Sequence, residues 1–195
     1  MIKKILILTG AYFVLIFFVQ SCDHGYCKDV DYYDFSEIQV HIKSLTTVET
    51  SDSLNFEIRQ LDTRYMAWNR IRTNLIKTTC ALNCDYGRKG MKIPMTKIEI
   101  TSNSNFNEAY PANSLLNDLI IVKILEEPNK IHSKYHFEKL DSVEFEKLLP
   151  KEDFLNPDLY IAEHPTIDMT HRLIVKIFKS NGDTIIAESE QIFWK

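Results

Sequence analysis

Asp168 and His171 stand three residues apart and Glu163 adjoins His164, so one short stretch of this 195-residue chain holds two acids and two imidazoles. Groups of this kind carry out hydrolysis when a carboxylate orients an imidazole and the imidazole moves a proton. Acids and histidines also meet by chance in a chain with 26% charged residues, so the expectation is surface residues, with a hydrolase as the alternative. His132 and His136 have the i, i+4 spacing that would bring two imidazoles together on a helix. Their segment alternates like a strand, however, which sets them about 13 Å apart at ~3.3 Å per residue, and no HExxH is present, so no metal is expected. Asp29, Asp31 and Asp34 lack the glycine and closing glutamate of a calcium loop. G-x-S-x-G, S-x-x-K, a P-loop and GxGxxG are all missing, so neither a serine nucleophile nor a cofactor is expected. Nine tyrosines, eleven phenylalanines, Trp68 and Trp194 supply aromatic faces, for a core or for stacking on sugars.

The four cysteines belong to a different chemistry. Lys3 and Lys4 precede an uncharged run from Ile5 to Val19, which ends at Gln20, Ser21 and Cys22. A basic start, a short apolar run and a small residue before a cleavage point make a secretion signal. A membrane span would need about 20 apolar residues. Val19, Gln20, Ser21 and Cys22 resemble the lipobox of bacterial lipoproteins, with Gln20 where a small residue is commoner. That resemblance implies a mature chain that begins at Cys22, acylated there and anchored to a membrane by more than one lipid chain. It also implies a place in the cell envelope, at the outer rather than the inner membrane, facing the periplasm or the surface. Cys27, Cys80 and Cys84 then remain in an oxidising compartment. Pairing Cys80 with Cys84 would close a tiny ring, so Cys27 is expected to pair with Cys80 or Cys84, tying the tether to a loop.

Removing residues 1–21 leaves 174 residues, enough for one domain with a real core. It removes Lys3 and Lys4 and no acid, which takes the formal net charge from −4 to −6, so no nucleic-acid partner is expected. Residues 22–34 form a polar, acidic tether. From there Ile38, Val40 and Ile42, then Leu54, Phe56 and Ile58, alternate with polar residues as half-buried strands. Residues 65–82 fit either a helix or a strand by periodicity, with strand slightly favoured by Thr73, Thr78 and Thr79. Ile98 and Ile100 point inward from a third strand. Ser114 to Val122 is buried and opens as a short helix capped by Asn113 or Ser114. A polar and aromatic strand lies near Ile131 to Leu140, and the capping-box spacing of Asp141 and Glu144 starts a two-turn helix that ends at Pro150. Leu173 to Trp194, with Asn181-Gly182 at its turn, is a β-hairpin.

These elements predict a mainly β, two-layer immunoglobulin-like β-sandwich over residues 35–195, with one or two short helices. The layout of lipobox, tether and single β domain resembles the small lipoproteins of gut Bacteroidetes. With no catalytic motif, the expected role is a membrane-anchored binding or scaffolding module for an envelope protein or a glycan, and the alternative is an envelope hydrolase. Phe106 and Tyr110, in the Asn-rich loop from Ser102 to Asn113, are the candidate ligand contacts, unless they merely pin that loop to the core.

Overall fold

The computed structural model describes residues 32–44, 46–49, 52–66, 87, 89–125, 135–144 and 156–195. The signal segment, Cys22, Cys27, Cys80, Cys84, Asp29, Asp31, His132 and residues 67–82 lie outside the described residues. Among those described, no helix is long and apolar enough to cross a membrane.

The strands in chain order are β1 (Tyr32–Asp34), β2 (Glu37–Ile42), β3 (Thr47–Val48), β4 (Leu54–Leu61), β5 (Arg64–Met66), β6 (Met95–Ser102), β7 (Ile120–Leu125), β8 (Tyr135–Lys139), β9 (Asp158–Ile161), β10 (Thr170–His171), β11 (Leu173–Lys179), β12 (Thr184–Glu188) and β13 (Ile192–Trp194). The protein is therefore mainly β, with several antiparallel sheets.

The described chain divides into two units. In the smaller, β1 at the end of the expected tether pairs antiparallel with β5. Buried Tyr33 bridges to Met91, and Gly87 lies so close that a Cβ there would sit 3.0 Å from Tyr33 Cδ1. With φ at +67°, that position suits glycine on both counts.

The larger unit holds the other sheets. One is five-stranded, β2-β4-β9-β7-β8, and antiparallel throughout. A second has the order β12-β11-β6. A third joins β10, β13 and β3, with β13 parallel to β3. Period-two patterning decides which side of each strand goes inward. Ile38, Val40 and Ile42 of β2, Leu54, Phe56 and Ile58 of β4, and Leu159 and Ile161 of β9 are all buried, as are Ile98 and Ile100 of β6. β11 is the middle strand of its sheet: Leu173, Val175 and Ile177 are buried, and Ile174 and Phe178 on the other side are half-buried.

The hairpin turn forms as expected, with Gly182 at φ +90° and the Lys179 amide donating to the Asp183 carbonyl at 2.9 Å. Its second arm is shorter than the alternation implies. β12 stops at Glu188, because buried Ser189 accepts the Leu173 amide on Oγ at 2.9 Å and donates to the Glu190 carbonyl at 2.7 Å. The chain then leaves for a different sheet as β13.

Neither expected cap opens an α-helix among the described residues. Residues 117–119 make a single 3-10 turn before β7, and Asn113 is left-handed at φ +65°. Buried Asn117 instead acts as a piece of strand: its Oδ1 accepts from the Ile100 amide at 3.0 Å and its Nδ2 donates to the Ile98 carbonyl at 2.9 Å. The same Nδ2 donates to Asp141 Oδ1 at 3.1 Å. That long-range bond engages the acid expected to cap a helix, and a 3-10 turn at Leu140–Ser142 runs into an extended Val143. Residues 145–150 lie outside the described residues.

Candidate functional site

The register of the five-stranded sheet assembles a continuous outer face. One row across it runs Lys139, Ile121, Tyr160 and Asn55; the next runs Phe137, Lys123 and Asp158. Glu57 and His41 pair beside that second row. The β7–β8 half is apolar and aromatic, with Tyr135 52% and Phe137 63% exposed beside Ile121. Lys123 Nζ lies 4.3 Å from the centroid of the Tyr135 ring, a cation–π contact that holds the ring in place.

The other half is a fixed charge network. Lys43 Nζ lies 2.7 Å from Glu57 Oε2 and 2.5 Å from Asp158 Oδ1, and Arg59 Nε donates to Glu57 Oε1. Two cations and two carboxylates therefore balance. Burial disfavours ionisation of Glu57, but hydrogen bonds from Lys43 and Arg59 overcome it and leave the carboxyl below its ordinary range. Burial likewise works against the charge on Lys43, and its bonds to Asp158 and Glu57 raise its pKa despite that. Tyr160 donates to Asp158 Oδ2 at 3.3 Å and accepts from Asn55 Nδ2 at 3.4 Å. Burial, and then the nearby Asp158 charge, push its phenol up, so it stays protonated as a donor.

The orientation of β8 is what marks this face. Its polar residues His136 and Glu138 are in register with Ile124 and Val122, both buried, whereas its aromatic residues share the side of exposed Ile121. Sliding the strand by one residue would exchange the two sets. Burying a phenylalanine side chain is worth roughly 1.5–3 kcal/mol, and Phe137, 63% exposed, realises little of it in this register. His136 Nε2 and Glu138 Oε1, 2.8 Å apart, satisfy each other on the inward side.

The loop singled out by sequence is built differently. Phe106 is 1% exposed, tilted against the His171 ring with centroids 5.5 Å apart and edge-on to Trp194 at 6.0 Å. It pins the loop to the core and presents no surface to a ligand. Tyr110 is partly exposed and donates to Asp118 Oδ2. That bond, followed by slight burial and the charges of Asp118 and Glu163, raises its pKa.

Asp168 and His171 do meet, but not as an acid–base pair. His171 Nε2 lies 2.6 Å from the Asp168 carbonyl oxygen, while the Asp168 carboxylate accepts from the Asn105 amide at 2.7 Å and from Asn105 Nδ2 at 3.1 Å. The carbonyl requires a proton on Nε2, which leaves Nδ1 to accept from Ser102 Oγ at 2.7 Å. A serine–histidine hydrogen bond of this kind prepares a nucleophile only where substrate can reach it, and Ser102 and His171 are each 1% exposed. His171 is thus a core residue rather than the surface residue expected, because both ring nitrogens find partners inside. Glu163 is exposed and makes no part of this arrangement. Among the described residues no group of three or more histidines, cysteines or acids could hold a metal.

Burial lowers the His171 pKa below its ordinary 6.5, although the bond to the Asp168 carbonyl opposes the shift. The unfolded chain therefore takes up a proton at a pH where the folded chain does not. The stability contributed by the neutral ring is present above pH 6.5 and is withdrawn as pH falls through the folded value. We expect the thermal midpoint to drop between pH 7.5 and 5, more steeply than in His171→Gln, with the His171 ring carbons titrating below 6.5 by NMR. Titration at or above that value would contradict the burial argument.

No family model, curated protein or solved structure matches this chain. The case for function therefore rests on the outer face of the five-stranded sheet. The sequence does carry a trace of it: Gln39, His41 and Lys43 face Arg59, Glu57 and Asn55 across two strands, and Tyr135 and Phe137 alternate with His136 and Glu138. Alternation alone does not say which side of β8 is outward.

Proposed function

We propose that this chain is a lipid-anchored protein of the bacterial envelope and acts as a binding or scaffolding module for an envelope protein or glycan. Its larger unit serves as an immunoglobulin-like sandwich, with the outer face of β2-β4-β9-β7-β8 as the binding surface. The single observation that carries this reading is the outward aromatic side of β8 beside the charge network of Lys43, Glu57, Arg59 and Asp158. Sites where local patterning is violated without a gain in stability are the expected sites of function. Support for the anchor comes from the uncharged run that ends at Cys22, and support for the sandwich from two antiparallel sheets that each bury one side. A solved structure with β11 and β4 in one continuous sheet would overturn the sandwich.

Phe137→Glu tests the surface. The substitution falls on a 63% exposed side chain, so the melting midpoint should stay put while capture of envelope material by the full-length chain is lost. Unchanged capture would remove this face from consideration. Cys22→Ala tests the anchor: an uncleaved precursor that incorporates no labelled fatty acid is expected, and normal processing with labelling would refute lipidation.

A further inference from the structure

Building on that binding-module reading, we infer that the outer face of the five-stranded sheet binds a glycan chain of at least two sugars rather than a folded protein. Layout is the argument. A protein interface concentrates its aromatic anchors at the centre and surrounds them with a polar rim. Here the aromatic pair Tyr135 and Phe137 occupies the outermost strand, and the charges lie on β4, on β9 and at Lys43 just after β2.

A sugar needs both halves at once. Its C–H face stacks on an aromatic ring, and its hydroxyls donate and accept together. Tyr135 and Phe137 offer the rings. Asp158 accepts, and Lys43 and Arg59 donate with the N–H groups not turned to Glu57 or Asp158. These polar groups already hold one another in place, so little side-chain freedom remains to be lost on binding. From β8 to β9 is two strand spacings, about 10 Å, so only a ligand longer than one sugar touches rings and carboxylates together.

The test is affinity electrophoresis of the full-length chain in mild detergent, through gels containing amylopectin, xylan, mannan, polygalacturonate or soluble peptidoglycan fragments. Retardation by at least one of these is expected. Tyr135→Ala with Phe137→Ala should weaken it at least tenfold with the melting midpoint unchanged, and Asp158→Asn should separately weaken it at least tenfold. The matching monosaccharide should compete far less well than the disaccharide. Retardation by none of the polysaccharides, or retardation indifferent to both variants, would overturn the glycan assignment. Capture from envelope extract separates this failure from failure of the binding face. Capture that depends on Phe137 but survives periodate oxidation of the extract would leave the face standing and refute the glycan, whereas capture independent of Phe137 would refute both.

Discussion

Val175→Pro should strip the larger unit of a large share of its stability. Val175 is fully buried in the middle strand of its sheet, paired with Ile100 of β6 on one side and Ala187 of β12 on the other. Proline removes a backbone donor and forces its ring into a ladder bonded on both edges, which costs about 3 kcal/mol or more. Domains of this size have only about 5–15 kcal/mol in total. The thermal midpoint of the variant should fall by roughly 10 °C or more. A midpoint within a few degrees of the parent would mean that β11 is not a paired central strand.

Phe106→Ala should be nearly as damaging, by a different route. The ring touches His171 and Trp194 and is almost fully enclosed. Removing it leaves a cavity that surrounding strands cannot close, at about 3–5 kcal/mol. The loop should loosen with it, because the Phe106 amide donates to the Tyr110 carbonyl at 2.9 Å and its carbonyl accepts from the Thr166 amide at 2.8 Å. Tyr110→Ala, by contrast, removes an exposed phenol and should leave the midpoint where it is. Equal losses for the two variants in a denaturant titration would show that the loop is held by its tip rather than by Phe106.

The parts of this fold that were legible in the sequence are those governed by local alternation. Ile38, Val40 and Ile42, then Leu54, Phe56 and Ile58, become paired strands with those residues inward, and Asn181-Gly182 makes the turn between β11 and β12. What was not legible depends on partners distant in sequence. Asn117 fails to continue a helix because the backbone of Ile98 and Ile100 claims its amide, and Asp141 lies inside a 3-10 turn with one carboxylate oxygen on Asn117. For the site, aromatic residues in an Asn-rich loop were a reasonable first choice, since loops commonly carry recognition. Phe106 nevertheless went to the core, where His171 and Trp194 receive it. The face on β7 and β8 was hidden for a simpler reason: an alternating strand has two sides, and only register with Val122 and Ile124 shows that Tyr135 and Phe137 are on the outer one.

The position of β13 has a kinetic consequence. This strand is the centre of its sheet, parallel to β3 on one side and antiparallel to β10 on the other, and its Trp194 packs against Phe106 and His164. Synthesis delivers it after every strand it joins. Closing so long a loop is entropically slow, and folding rates fall as contacts become more distant in sequence. A chain still emerging from the ribosome thus lacks the piece that locks Phe106 in place and stays loosely packed during that interval.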